Sequence, residues 1–221
     1  MSLTVDLDGV LFDNDGVLVD SMSGAMEVWQ RWALAWSPTV DPTVDFPHGT
    51  PARDIIGTLV VAEHLDDASA ALDQMELTET GPVDTIPGAA EPTAPLPEGR
   101  WVVVSSTSRE LATLRLQQAG YRPSHVVGVD DVTRGKPDPE PYLRGAELFG
   151  SDPSTLVVFE DAAVGVQAAR AASVGYVIGV GASLDPALVD ALVPDLRSVR
   201  RVTSDKGTRL QIDGPEAQRH G

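Results

Sequence analysis

Val10-Leu11-Phe12-Asp13-Asn14-Asp15-Gly16-Val17-Leu18 sets an apolar run directly before two carboxylates spaced two apart and a glycine, with Asp20-Ser21 close behind. Val10 to Phe12 reads as the end of a buried strand. While the backbone stays extended, positions i and i+2 point to one face, so both acids can address a single reaction centre. One can attack as a nucleophile and the other can shuttle a proton. A near copy, Asp6-Leu7-Asp8-Gly9-Val10-Leu11-Phe12-Asp13, lies just upstream. Only the second copy leads into Ser21 and a helical segment, so Asp13 and Asp15 are preferred over Asp6 and Asp8.

Strands of the same texture recur from Trp101 onward. Val102-Val103-Val104, Val126-Val127, Leu156-Val157-Val158-Phe159 and Tyr176-Val177-Ile178 are short continuous apolar runs. Helical patterns over 109–119, 139–149 and 162–172 separate them. Strands that alternate with helices and lack polar alternation indicate a parallel sheet covered on both faces. The expected fold class is α/β, a doubly wound parallel sheet with an inserted small α-helical cap. Residues 1–21 and 83–221 form the core, and 22–82 form the cap. Such sheets bind ligands beyond the carboxyl ends of their strands. Arg201 to Ile212 reads as a hairpin around Asp205-Lys206-Gly207.

Within the insertion, Met22, Met26, Trp29, Ala33 and Trp36 fall on one helical stripe that reads as packing. Further helices are expected over 52–64, opened by Pro51, and over 67–77. The insertion carries Glu27, Asp41, Asp45, Asp54, Glu63, Asp66, Asp67, Asp73, Glu76 and Glu79 against Arg31 and Arg53, and it contains no lysine. It is an acidic lid.

The formal net charge of −17 argues against a nucleic-acid surface. It does not exclude anionic substrates, because a bound divalent cation reverses the local sign. The chain contains no cysteine, which excludes disulfides and thiolate chemistry. No apolar run approaches a membrane span and no basic-then-apolar leader opens the sequence, so a soluble cytoplasmic protein is expected, and the absence of an obvious exposed apolar element points to a monomer.

Three more stations sit where strands end. Ser105, followed by Ser106, Thr107 and Ser108, offers hydroxyls and amides to an anion, while Ser108 caps the next helix. Lys136 is one of only two lysines. Pro137 and Pro139 fix its loop, so its ammonium can offset a phosphoryl group and a carboxylate. Glu160-Asp161 supplies the hard oxygen ligands that Mg²⁺ prefers.

Asp13-x-Asp15-Gly16, Ser105, Gly135-Lys136-Pro137-Asp138-Pro139 and Phe159-Glu160-Asp161-Ala162-x-x-Gly165 together resemble the four motifs of haloacid-dehalogenase-like phosphatases. The resemblance runs from about residue 10 to 180. Trp101 to Ala112, His48-Gly49 and Ile86-Pro87-Gly88-Ala89 resemble, more narrowly, the sugar and polyol phosphatases beside β-phosphoglucomutase. Two departures stand out. Ser105-Ser106-Thr107 replaces the usual Thr-Ser-Gly, and Pro92 and Pro95 shorten or break the helix expected after Pro87-Gly88-Ala89.

The resemblance implies that Asp13 is the nucleophile, Asp15 the acid and base, and Ser105 and Lys136 the charge clamp. It implies Mg²⁺ held by Asp13, the Asp15 carbonyl and Asp161 with help from Glu160. Ser106, His48, Arg53 and Glu79, with Glu76, are the expected substrate contacts. The expected partner is a small phosphorylated sugar or polyol, with no nucleic acid and no membrane. A phosphosugar mutase shares this core chemistry and stays open as the alternative, although the missing cap lysine lowers it. Dehalogenation has no use for Asp15 and the Glu160-Asp161 pair. Phosphonate cleavage needs a cap lysine. A non-catalytic module would be expected to lose an acid or the lysine, and here every position is filled.

Overall fold

The computed structural model describes residues 2–6, 8–40, 51–79, 81–93, 101–204 and 207–213. Its strands, in chain order, are β1 (Ser2–Asp6), β2 (Gly9–Phe12), β3 (Val19–Asp20), β4 (Asp84–Thr85), β5 (Trp101–Val104), β6 (Val126–Val127), β7 (Leu156–Glu160), β8 (Tyr176–Val180), β9 (Ala191–Val193), β10 (Val199–Ser204) and β11 (Gly207–Asp213). The helices are α1 (Met22–Trp36), α2 (Ala52–Leu59), α3 (Leu65–Thr78), α4 (Ala90–Thr93), α5 (Arg109–Gln118), α6 (Glu140–Phe149) and α7 (Ala163–Ala171).

Six strands pair in parallel in the order β6-β5-β2-β7-β8-β9, which is the expected doubly wound sheet. Along β2, Val10 and Phe12 join one apolar cluster with Val103, Val157, Phe159 and Ile178. Leu11 joins the other, with Val102, Val104, Val158 and Val177. Both faces are covered, so neither alternate position is polar, and this explains the continuous apolar runs. Phe12 stacks on Phe159 at 5.1 Å between ring centroids and meets Trp101 edge-on at 6.0 Å. Each such side chain, fully buried, contributes roughly 1.5–3 kcal/mol. Tyr142 and Ala146 of α6 and Val166 and Ala169 of α7 cover one face, while Leu116 of α5 packs on the other.

The tail hairpin forms, β10 against β11, but it does not stand alone. Strand β1 pairs antiparallel with β11 to make a three-stranded sheet. Val5, Val199, Leu210 and Ile212 add their side chains to the first cluster. The upstream acid pair therefore sits away from the crevice. Asp6 ends β1, and Asp8 lies exposed before β2. At 3.3 Å per residue, Asp8 and Asp13 stand roughly 16 Å apart along the strand.

The insertion is a helical cap with its own core: Val28, Trp29, Trp32, Ala33, Ile55, Ile56, Ala68 and Leu72. Trp32 Nε1 donates to the Ala68 carbonyl at 2.8 Å and stitches α1 to α3. The buried stripe of α1 is Gly24, Val28, Trp29, Trp32 and Ala33, rotated from the one expected; Met22 is 44% exposed. Burying the large Trp32 side chain decides the rotation. The helix expected over 52–64 ends at Leu59 and resumes as a 3-10 turn over Ala62–His64. Val60 is extended there, a conformation that β-branched residues favour. The helix expected over 67–77 runs from Leu65 to Thr78.

Chain enters and leaves the cap through β3 and β4, which pair antiparallel, Val19 with Thr85 and Asp20 with Asp84. After Gly88 a helix covers Ala90–Thr93 and takes in Pro92, and Pro95 lies outside the described residues. Among the described residues, no helix is long and apolar enough to cross a membrane.

Candidate active site

Asp13 follows β2 directly and sits between the ends of β5 and β7. Its amide donates to the Phe159 carbonyl at 2.9 Å. Lys136, on the loop after β6, reaches into this gap. Its Nζ donates to Asp13 Oδ1 at 2.5 Å, Glu160 Oε1 at 2.6 Å and the Val104 carbonyl at 3.1 Å. The ammonium also lies 5.1 Å from the centroid of the Tyr142 ring. Tyr142 Oη donates to Glu160 Oε1 at 2.7 Å. Burial works against the lysine's charge, but Asp13 and Glu160 outweigh it and hold its pKa above the ordinary value. Lys136 stays charged.

Glu160 spends its other oxygen on two backbone amides, Asp161 at 3.0 Å and Ala162 at 3.1 Å. Its carboxylate fills the space over Gly165, where a Cβ would stand 1.7 Å from Oε1, so only glycine fits. Asp161 lies in the same way over Gly16. A Cβ on Gly16 would fall 1.9 Å from Asp161 Oδ2, and its φ of +85° also favours glycine.

Asp13, Glu160 and Asp161 each bring a carboxylate oxygen to within 4.8 Å of the others. Burial raises the Asp13 carboxyl, Lys136 lowers it, and Glu160 and Asp161 raise it again, leaving it well above the usual range. One lysine does not balance three clustered acids. An all-oxygen cluster short of positive charge fits a hard divalent cation.

Asp15 has partners that its spacing did not reveal. β2 ends at Phe12 and the chain bends at Asn14, so strand spacing alone does not fix the Asp15 side chain, which lines the same cavity as Asp161. Its carboxylate accepts from Arg115 Nη1 at 3.1 Å on both oxygens, from Asn14 Nδ2 at 3.1 Å and from Ser21 Oγ. Arg115 Nη2 in turn donates to Glu76 Oε1 at 3.1 Å. Burial pushes the Glu76 carboxyl up, and Arg115 only partly offsets this.

Ser105 is buried at the end of β5, where its amide donates to the Val127 carbonyl at 2.8 Å. Its Oγ accepts from the Thr107 amide at 3.1 Å. Ser108 caps α5 by accepting from the Leu111 amide at 3.3 Å. Ser106 is half-buried beside them.

The fold thus brings Asp13, Lys136, Glu160 and Asp161 together, with Ser105 next to Val104, which Lys136 touches. It does not bring in Arg53 or Glu79. Arg53 pairs with Asp66 and Glu79 with Arg31, both within the cap and exposed. His48 lies outside the described residues. A cavity of about 500 Å³ opens beside the acids, lined among others by Asp15, Asp20, Met22, Ile86, Asp161 and Ser183.

Sequence reasoning overlooked Arg115 and Tyr142. Arg115 was detectable, since it interrupts the buried stripe Leu111, Ala112, Leu116 of α5, and an arginine on an apolar face needs a partner. Tyr142 carried no comparable signal.

Known proteins are similar to this chain in sequence and fold. A family model described as haloacid dehalogenase-like hydrolase matches residues 7–173. Hexitol phosphatase A of Escherichia coli is 34% identical over 204 residues, covering 90% of this chain and 94% of that protein. 2-Deoxyglucose-6-phosphate phosphatase 1 of Saccharomyces cerevisiae is 31% identical, covering 94% and 96%. The crystal structure of a hydrolase from Pseudomonas syringae superposes with a TM-score of 0.70 at 23% identity, over 85% of this chain and 93% of that one. The chain belongs to the haloacid dehalogenase-like hydrolases.

Proposed function

We propose that this protein is a Mg²⁺-dependent phosphatase that hydrolyses monophosphates of small sugars or polyols through an aspartyl phosphate on Asp13. The observation that carries the reading is Lys136 Nζ, buried between Asp13 Oδ1 and Glu160 Oε1, beside a cluster of acids. The names of the two phosphatases above, and a cavity large enough for a six-carbon leaving group, support the substrate class.

Asp13, Asp161 and the Asp15 backbone carbonyl would hold the metal, and Glu160 would assist by fixing Lys136. When bound, the cation supplies positive charge against the phosphoryl oxygens. In the first half-reaction an Asp13 oxygen forms a bond to phosphorus while the ester oxygen leaves and takes a proton from Asp15. In the second, Asp15, now ionised, removes a proton from water. That water attacks phosphorus and releases inorganic phosphate and the Asp13 carboxylate. Ser105 and Lys136 hold the phosphoryl oxygens throughout, since catalysis of this transfer is chiefly positioning and charge stabilisation.

Phosphate release from hexitol, hexose, pentose and glycerol phosphates, with Mg²⁺ and after chelation, tests the reading. Release is expected only with the metal, and Asp13→Asn should lower it by at least about 10⁴-fold. Near-normal turnover by Asp13→Asn would end the proposal. Turnover that needs a bisphosphate primer and releases no phosphate would replace it with a mutase.

A further inference from the structure

Arg115 belongs to the core and Glu76 to the cap, yet one guanidinium joins Glu76 to Asp15. The three groups are not a surface pair. Arg115 and Glu76 are each only 5% exposed, and the Arg115 carbons share the buried face of α5 with Leu111, Ala112 and Leu116. Burying a charged triad costs desolvation that apolar side chains of similar volume would not, so sealing the cap against the core does not explain it.

The geometry is also too tight for the triad to bind the organic part of a substrate. The space bordered by Ser21, Gly24, Glu76, Gly81 and Arg115 is a cavity of about 10 Å³, room for no more than one water. The large cavity is lined by Asp15 itself, with Asp20, Met22, Ile86 and Ser183, but by neither Arg115 nor Glu76. What Arg115 does touch is the proton carrier. Its Nη1 spans both Asp15 oxygens, while Ser21 and Asn14 approach from the chain's own turn. Without Arg115, those two local donors are the ones left, among the described residues, to fix the carboxylate.

We propose that Arg115 is a positioning residue for Asp15, and that Glu76 fixes the reach of its guanidinium, so that the seating of the cap orients the group that protonates the leaving alkoxide. The inference rests on the acid and base role given to Asp15 above. Arg115 performs no chemistry itself. It converts a cap contact into the orientation of a core side chain, and a misplaced proton donor loses much of the advantage of proximity.

The leaving group distinguishes this role from a structural one. kcat/KM stops at the aspartyl phosphate, so it reports only the half-reaction in which Asp15 acts as an acid. An alkyl phosphate such as glycerol phosphate or a hexitol phosphate needs that proton, whereas p-nitrophenolate departs without it. Arg115→Met should therefore lower kcat/KM for the alkyl ester by about 100-fold, the usual scale of general acid catalysis, and for the aryl ester by no more than about fivefold. Arg115→Lys, which keeps charge but loses the fork, should fall between. Glu76→Gln should cost the alkyl ester about fivefold, and that cost should vanish in the Arg115→Met background, because the two act in series.

Equal losses on both esters, with a lowered melting temperature, would reduce Arg115 to packing and overturn the proposal. So would additive effects of Glu76→Gln and Arg115→Met. If Arg115→Met does not fold, Arg115→Lys and Glu76→Gln carry the same leaving-group test. Wild-type protein that releases phosphate from neither ester would instead sink the phosphatase reading itself, a separate result.

Discussion

Lys136 in the crevice and Arg53 in the cap are both cations hydrogen-bonded to carboxylates at about the same distance, but their settings differ. The Lys136 side chain is 2% exposed, against 11% for Asp13 and 1% for Glu160. The Arg53 side chain is 56% exposed and that of Asp66 86%. Water screens the second pair almost completely, so it is worth at most about 1 kcal/mol. The first lies where charges interact strongly and where each is costly without its partner. A charged residue in a sequence says nothing of which setting it will occupy. Ends of parallel strands provide the dry setting, and the outer faces of the cap helices provide the wet one.

Substitutions can break this contrast or sharpen it. The largest effect is expected from Lys136→Met, which leaves Asp13 and Glu160 without their shared cation. It should lower kcat/KM for phosphate esters by about 10³-fold. It should also destabilise the fold by about 3 kcal/mol, measured by urea denaturation. A loss smaller than tenfold would erase the distinction between the two settings.

An intermediate case lies at Asp195, whose side chain is 12% exposed and whose partner Arg197 is 73% exposed. The Arg197 side chain, and then its backbone amide, hold this carboxyl below its ordinary 3.8. The unfolded state therefore binds the proton more tightly, and Asp195 stabilises the fold at pH above that ordinary value. The contribution is lost as pH falls through the lower, folded value. Asn keeps the cap acceptor and removes only the charge, so denaturation of wild type and Asp195→Asn should differ by about 0.5 kcal/mol at pH 7, the scale of a part-exposed ion pair. The gap should close below about pH 3. A gap independent of pH would show that the charge contributes nothing.

The smallest effects are expected from Arg53→Ala and Glu79→Ala. Each should alter stability by no more than about 0.5 kcal/mol and kcat/KM for a sugar phosphate by no more than about twofold. A tenfold rise in KM for either would restore that residue as a substrate contact and make the cap surface part of the site.

Much of the core was legible beforehand because its signals are local. Apolar runs such as Val102 to Val104 declare a two-faced sheet, and Asp13, Ser105 and Glu160, each one step past such a run, declare where the ligand lies. The glycines were legible only as motif letters. Their reason, an Asp161 carboxylate over Gly16 and a Glu160 carboxylate over Gly165, needs the neighbouring strand in place. The cap was read less well. Its stripe on α1 came out rotated because burying Trp32 outweighs simple periodicity, and Arg53 and Glu79 paired within the cap at its surface while Glu76 turned to the core.

From the order of residues alone came the parallel core, the inserted helices and the four segments that carry the chemistry, since each rests on spacing within one strand or one loop. Only the tertiary structure decided that β1 closes on β11, and that Asp15 meets Arg115, a hundred residues away, with Glu76 beyond it. Such partners are chosen by packing. A charge removed from water must take whichever opposite charge the fold brings within reach, and no local pattern records which one that will be.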